Sequence, residues 1–196
     1  MTSKTTAARV ASLVAVRPKT HKAFLVEHRH RSQPKSPKST READLIVKLP
    51  GKVYRIEFKT AYTLAPLQAV DAIKAGMPAR ALVSVAERMG ITKERLFTTL
   101  GLPRATVDRK VRESKILTPV ESSRVLGLAR LVGQAQTLVE QSGDSEGFDA
   151  AQWVANWLEE PMPALQGRRP AEFMDTAEGQ AIVANLLQRA QSGAYA

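Results

Sequence analysis

The stretch that most constrains how this chain folds is residues 153–196, WVANWLEEPMPALQGRRPAEFMDTAEGQAIVANLLQRAQSGAYA. Trp153, Val154, Trp157 and Leu158 recur at i, i+1, i+4 and i+5, one apolar stripe on a short helix. That helix cannot pass Pro161 and Pro163, which lack the N–H a further turn would use. A turn carrying Pro and Gly follows, and Pro170 opens a short segment presenting Phe173 and Met174. Thr176 caps a final helix with Ile182, Val183, Leu186, Leu187 and Ala190 on one face, and Gly193 ends it in a left-handed turn. Apolar stripes at helical spacing are usually buried within their own chain. Trp153, Trp157, Leu186 and Leu187 therefore read first as the core of a small α-helical unit.

Between residues 66 and 143 the reading is also helical. Residues 67–75 make a short helix ended near Gly76, and Pro78 stands in the first turn of the next. The apolar face of that helix is Leu82, Val83, Val85, Ala86 and Met89, and Gly90 stops it. Thr92 caps a helix through Leu100 that turns Leu96 and Phe97 inward, and Gly101 ends it. A further helix runs from Pro103 to Glu113 with Val107 and Val111 on its buried side. Helices of this length, separated by turns of two or three residues holding glycine, form the helix-turn-helix pattern. Thr118 to Glu121 is a capping box with Pro119 at the first helical position. From it Val125, Leu126, Leu128, Ala129, Val132, Ala135 and Val139 keep a helical period to Gln141. This helix joins the two halves, and the acidic loop 144–147 is the hinge before the terminal unit.

In a helix-turn-helix unit the helix after the glycine turn lies in the major groove and meets bases through its early residues. Arg104, Ala105, Thr106, Asp108 and Arg109 then face bases, while Lys110, Arg112 and Lys115 reach phosphates. The alternative is a solvated basic helix in an all-α domain.

Charge supports a polyanionic partner at one end. The net charge of +10 lies in the first third, where residues 1–60 hold 14 Lys/Arg against 4 Asp/Glu. Residues 93–115 hold 7 bases and 3 acids, whereas residues 131–179 hold 9 acids and only Arg168 and Arg169 as bases. Such a division suits nucleic acid at the front and a different partner at the back. Residues 1–43, rich in Ser, Lys and Pro and poor in large apolar residues, read first as a flexible basic arm without fixed order; the alternative is an arm that adds phosphate contacts to DNA binding. Residues 44–65 follow with two runs rich in Ile, Val, Tyr and Phe across Pro50-Gly51, the pattern of a β-hairpin that alternates Val53, Arg55 and Glu57 with Tyr54, Ile56 and Phe58.

The chain offers little for catalysis. It has no cysteine, which removes any thiol nucleophile and fits a reducing cytoplasm. Its histidines, His21, His28 and His30, all lie in the arm and make a weak metal signal. No glycine-rich phosphate loop follows a strand, and Glu159 and Glu160 are adjacent rather than facing, a solvated acidic edge. No run of ~18 apolar residues spans a membrane. The expectation is a protein that is not an enzyme and needs neither metal nor cofactor.

The ordered set Trp157, Leu158, Pro161, Ala164, Leu165, Gly167, Pro170, Thr176, Gly179, Val183, Leu187, Gly193, Tyr195 and Ala196 resembles the toxin-binding domain of the Xre/MbcA/ParS antitoxin family. Two positions depart from it: Met162 stands where the family usually has Asn, and Pro103 where Xre-type regulators usually have Ser or Thr. The resemblance implies a mainly α fold, with a helix-turn-helix DNA-binding and dimerisation domain over 66–143 joined by a long helix to a toxin-binding domain over 148–196. It implies an antitoxin that neutralises a RES-domain, NAD-consuming toxin, binds operator DNA to repress its own operon, and forms a homodimer within a larger complex. Trp157, Leu165, Arg168, Arg169, Leu186, Arg189, Gly193, Tyr195 and Ala196 would meet the toxin. Within that reading, Tyr195 and the Ala196 carboxylate enter the toxin's NAD pocket. Two other readings compete. One is a stand-alone regulator whose terminal domain only dimerises, and the other is a basic RNA- or nucleoid-associated protein.

Overall fold

The computed structural model describes residues 45–49, 52–142 and 147–192, with side chains over 57–142 and 147–189. Two short strands, β1 (Leu45–Leu49) and β2 (Lys52–Ile56), pair antiparallel with Val47 opposite Tyr54. The helices are α1 (Phe58–Thr63), α2 (Pro66–Ala75), α3 (Ala81–Met89), α4 (Lys93–Thr99), α5 (Arg104–Arg112), α6 (Pro119–Gln141), α7 (Ala150–Trp157) and α8 (Ala177–Ser192). Two 3-10 turns, Pro163–Leu165 and Pro170–Phe173, lie between α7 and α8.

The spine is α6. Thr118 Oγ1 accepts from Glu121 N–H, Glu121 Oε2 accepts in turn from Thr118 N–H, and Pro119 starts the first turn. Val125, Leu126, Leu128, Ala129, Leu131, Val132 and Ala135 are all buried because α1, α2, α7 and α8 surround this helix. Its two glycines mark the closest approaches. A Cβ at Gly133 would stand 2.0 Å from the Phe58 carbonyl oxygen, and one at Gly127 would stand 1.7 Å from Gln180 Oε1. Each glycine costs α6 about 1 kcal/mol of helix propensity, and the packing it permits offsets that cost.

Among the described residues one hydrophobic core runs from Phe58 to Leu187. Leu82, Leu96, Phe97, Leu100 and Val107 from the front half belong to the same cluster as Val154, Trp157, Met174 and Val183 from the back. The expected hinge loop lies outside the described residues save Gly147.

Three expectations need correction. Phe58 is not the end of a strand but the first residue of α1, buried beneath Arg88, whose guanidinium carbon is 4.1 Å from the ring centre. Pro78 is not in a helix: α3 begins at Ala81, and residues 77–79 pair instead with 115–117 through Ala79 N–H to Lys115 O (2.9 Å) and Leu117 N–H to Met77 O (2.8 Å). Ile182 is 48% exposed, whereas Val183, Leu186 and Leu187 are buried, so the inward stripe of α8 is narrower than the sequence suggests.

Candidate functional site

The helix-turn-helix unit is α4, its turn and α5. Thr92 Oγ1 caps α4 by accepting from Arg95 N–H at 3.2 Å. Gly101, at φ 58°, supplies the left-handed residue that ends the helix, and Leu100 and Leu102 on either side are buried. Pro103 precedes α5 in an extended conformation and offers no side-chain cap. Val107 is fully buried and Val111 half-buried, which turns Arg104, Ala105, Thr106, Arg109 and Arg112 to solvent. Among the described residues, no carboxylate is within ion-pair distance of Arg104, Arg109 or Arg112.

Several other polar residues of this unit are engaged. Asp108 accepts from Lys93 at 2.7 Å, and that hydrogen bond raises the Lys93 pKa. Lys115 stands exposed beside Glu113 at 2.6 Å, and its hydrogen bond holds the Glu113 carboxyl below its usual range. Lys110 differs from its sequence reading as a phosphate-reaching cation, because its ammonium lies 2.6 Å from Glu121 Oε2 in a largely buried pair. Burial pushes the Glu121 pKa up, but the Lys110 and Thr118 hydrogen bonds outweigh it and the carboxyl titrates low.

The second surface is built on α7 and the turns after it. Asp149 Oδ1 caps α7 by accepting from Ala151 and Gln152 N–H, each at 3.0 Å. Trp153 stacks on Trp157 with centroids 5.8 Å apart, and Phe148 tilts against Trp153 at 6.0 Å. Trp157, Leu165 and Leu186 are buried, so they support this surface from beneath. Met162 packs its side chain on the core, while its backbone closes the loop: its N–H donates to Arg168 O (3.0 Å), and its carbonyl accepts from Leu165 and Gly167 (2.9 Å each). Loop closure at this position is thus made by main chain rather than by a side-chain amide.

Arg168 and Arg169 are exposed and belong to an ion-pair ladder. Arg168 Nε meets Glu172 at 3.2 Å, Arg169 meets Glu172 at 3.5 Å and Glu159 at 3.1 Å, and Arg95 of α4 reaches Glu159 at 3.3 Å. Arg168 also lies over the Phe173 ring at 4.4 Å. Glu172 titrates low, chiefly because it accepts from the Arg169 backbone N–H. Arg189 is exposed, and Gly193, Tyr195 and Ala196 lie outside the described residues. Sequence reasoning missed Arg95, Glu159 and Glu172 as one group. The i, i+4 spacing of Arg168 and Glu172 and the i, i+3 spacing of Arg169 and Glu172 are visible in the sequence, whereas the links of Glu159 to Arg169 and Arg95 join separate elements.

Among the described residues no group of His, Cys, Asp and Glu could hold a metal ion, and no helix is long and apolar enough to cross a membrane. The three histidines lie outside those residues.

The model of the antitoxin Xre-like helix-turn-helix domain matches residues 68–130, and that of the antitoxin Xre/MbcA/ParS C-terminal toxin-binding domain matches residues 134–193. A protein of Sphingobium sp. (strain YBL2) named Prs ADP-ribosylating antitoxin is 41% identical over 139 residues, covering 71% of this chain and 87% of its own length. The chain belongs to the Xre/MbcA/ParS antitoxin family. The Antitoxin Xre of Yersinia enterocolitica serotype O:8 / biotype 1B (strain NCTC 13174 / 8081) is 26% identical over 126 residues, covering 64% of this chain and 80% of its own length. The two matched regions of this antitoxin meet inside α6. The last part of the spine helix, residues 134–141, therefore falls within the toxin-binding match.

Proposed function

We propose that this antitoxin neutralises a RES-type, NAD-consuming toxin through its terminal domain, and represses its own operon by placing α5 in the major groove as a homodimer. The observation that carries the DNA half is the outward face of α5, where Arg104, Arg109 and Arg112 are exposed with no carboxylate within ion-pair distance among the described residues. Arginines so placed suit bidentate contact with guanine or with phosphates. The toxin half is supported by the terminal domain match and by the ladder of Arg168 and Arg169, an exposed cationic edge on an otherwise acidic half. The name of the Sphingobium relative speaks of ADP-ribosylation, a chemistry that uses NAD, and this agrees with an NAD-consuming partner. Exposed apolar Leu67 and Val70, one turn apart on α2, suit a second copy of the chain.

The test has two arms. In a mobility-shift titration with the DNA upstream of its own gene, Arg104→Ala and Arg109→Ala should each cost ~1 to 3 kcal/mol of binding. In cells, co-expression with the neighbouring reading frame should restore both growth and NAD content. Wild-type affinity in the Arg104→Ala/Arg109→Ala double variant would remove α5 from the DNA contact, and unchanged NAD in cells expressing the neighbour alone would remove the toxin class.

A further inference from the structure

Contacts from outside the helix-turn-helix unit converge on the turn between α4 and α5. Arg124, on α6, donates from Nη1 to the carbonyls of Leu100 (3.3 Å) and Gly101 (2.7 Å), which the end of α4 leaves without helical partners. The main-chain carbonyl of the same Arg124 accepts from Gln180 Nε2, on α8, at 3.1 Å. Gln180 Nε2 also donates to the Met174 carbonyl at 2.9 Å, so both hydrogens of the amide are used and its orientation is fixed. Gly127 is the floor on which that amide rests, because a Cβ there would stand 1.7 Å from Gln180 Oε1. Gly101 meets the same segment directly, since a Cβ at that position would stand 2.8 Å from Asp175 Cβ.

The anchors of α5 are unevenly placed. Val107 and the Asp108–Lys93 pair hold its middle, and Lys110 ties its second half to Glu121, but among the described residues Arg104 to Thr106 make no side-chain hydrogen bond or ion pair and follow the turn before them. Those first residues, Arg104 to Thr106, are the ones that would meet bases. A recognition constellation must be held to within about 0.5 Å to keep its contacts. The turn is clamped by the Arg124 guanidinium, and the main chain of α6 at Arg124 is tied to a side chain of the terminal domain.

We propose that Arg124 and Gln180 are positioning residues for DNA reading, with Gln180 of the toxin-binding domain holding the turn that aims Arg104. This rests on the reading of α5 as the DNA-facing helix, and it assigns neither residue a contact with DNA. DNA reading would then depend on residues of the domain that binds toxin.

The test uses the full chain with Gln180→Ala, Gly127→Ala and the two combined. Gly127→Ala improves helix propensity yet expels the Gln180 amide, so its effect separates positioning from simple loss of helix stability. Three quantities are measured well below the unfolding temperature. They are amide hydrogen exchange over residues 98–107, affinity for a duplex of the DNA upstream of the gene, and affinity for a scrambled duplex. Each single change should speed exchange in the turn and lower upstream-duplex affinity about fivefold to tenfold, a coupling of the usual size. Scrambled-duplex affinity should stay near wild type, because phosphate contacts do not depend on the aim of Arg104. The double variant should be no worse than Gln180→Ala, since the new Cβ then meets no amide. Equal loss on both duplexes, or additive losses in the double variant, would overturn the proposal, as would wild-type affinity in both single variants. Should the wild-type chain bind no duplex selectively, the DNA reading itself fails. The exchange measurement would still decide whether Gln180 holds the turn.

Discussion

Lys110 illustrates how a cation on a basic helix becomes part of the scaffold. Its side chain is 16% exposed and that of Glu121 is 9% exposed, so the pair is largely withdrawn from water. One carboxylate thereby closes the capping box of α6 and holds the second half of α5. Lys110→Met should cost about 1 to 2 kcal/mol at pH 7, because Glu121 keeps its charge but loses its counter-ion. The sign with pH follows from the lowered folded-state pKa of Glu121, whose reference value is 4.5. Its stabilisation is present above that reference value and lost as the pH falls through the lower folded value. Urea unfolding of wild type and variant should thus differ at pH 7 and converge in acid; equal stabilities at pH 7 would mean the pair contributes nothing net. Neither the burial nor the pairing of Lys110 is visible in a string of basic residues, whereas the capping role of Glu121 is. The capping box is a local pattern spanning Thr118 to Glu121, while the ion pair joins residues from two helices.

At the scale of the element, most helix ends were legible and some helix faces were not. Thr92, Thr118 and Thr176 each accept the N–H their spacing predicts, and Gly90 and Gly101 adopt the left-handed conformation that ends α3 and α4. These are contests settled within four or five residues. Helix α1 was not legible, because Phe58 continues the alternation of a strand and becomes helical only where α6 opens a gap for it. Gly133 is that gap. Gly133→Ala gains about 1 kcal/mol of helix propensity but places a methyl against the Phe58 carbonyl, so displacement of α1 at ~1 to 3 kcal/mol should win. Thermal unfolding is expected to show a lowered midpoint, and a raised one would mean that α1 yields at no cost.

Across the whole molecule, charge is divided along the chain, with 14 Lys/Arg against 4 Asp/Glu in residues 1–60 and equal numbers of each in the rest. Deleting residues 1–43 should flatten the salt dependence of DNA binding, leave preference for the upstream sequence nearly intact, and leave toxin neutralisation unchanged. Isothermal titrations at several salt concentrations would measure this, and an unaltered slope would remove the arm from the contact. The sequence by itself determined the helical class, the helix-turn-helix order, the caps and the family pattern of the terminal stretch, because each depends on residues a few positions apart. Helical spacing already placed Trp157 and Leu186 in the core, whereas tertiary structure alone decided that Leu165 lies beneath the surface rather than on it. It also joined Arg95 to Glu159 and seated Gln180 on Gly127, contacts between residues more than fifty positions apart. Periodicity states which face of a helix is apolar, but which neighbour covers that face, and which polar groups are drawn in with it, follows only from the packing of every helix on α6.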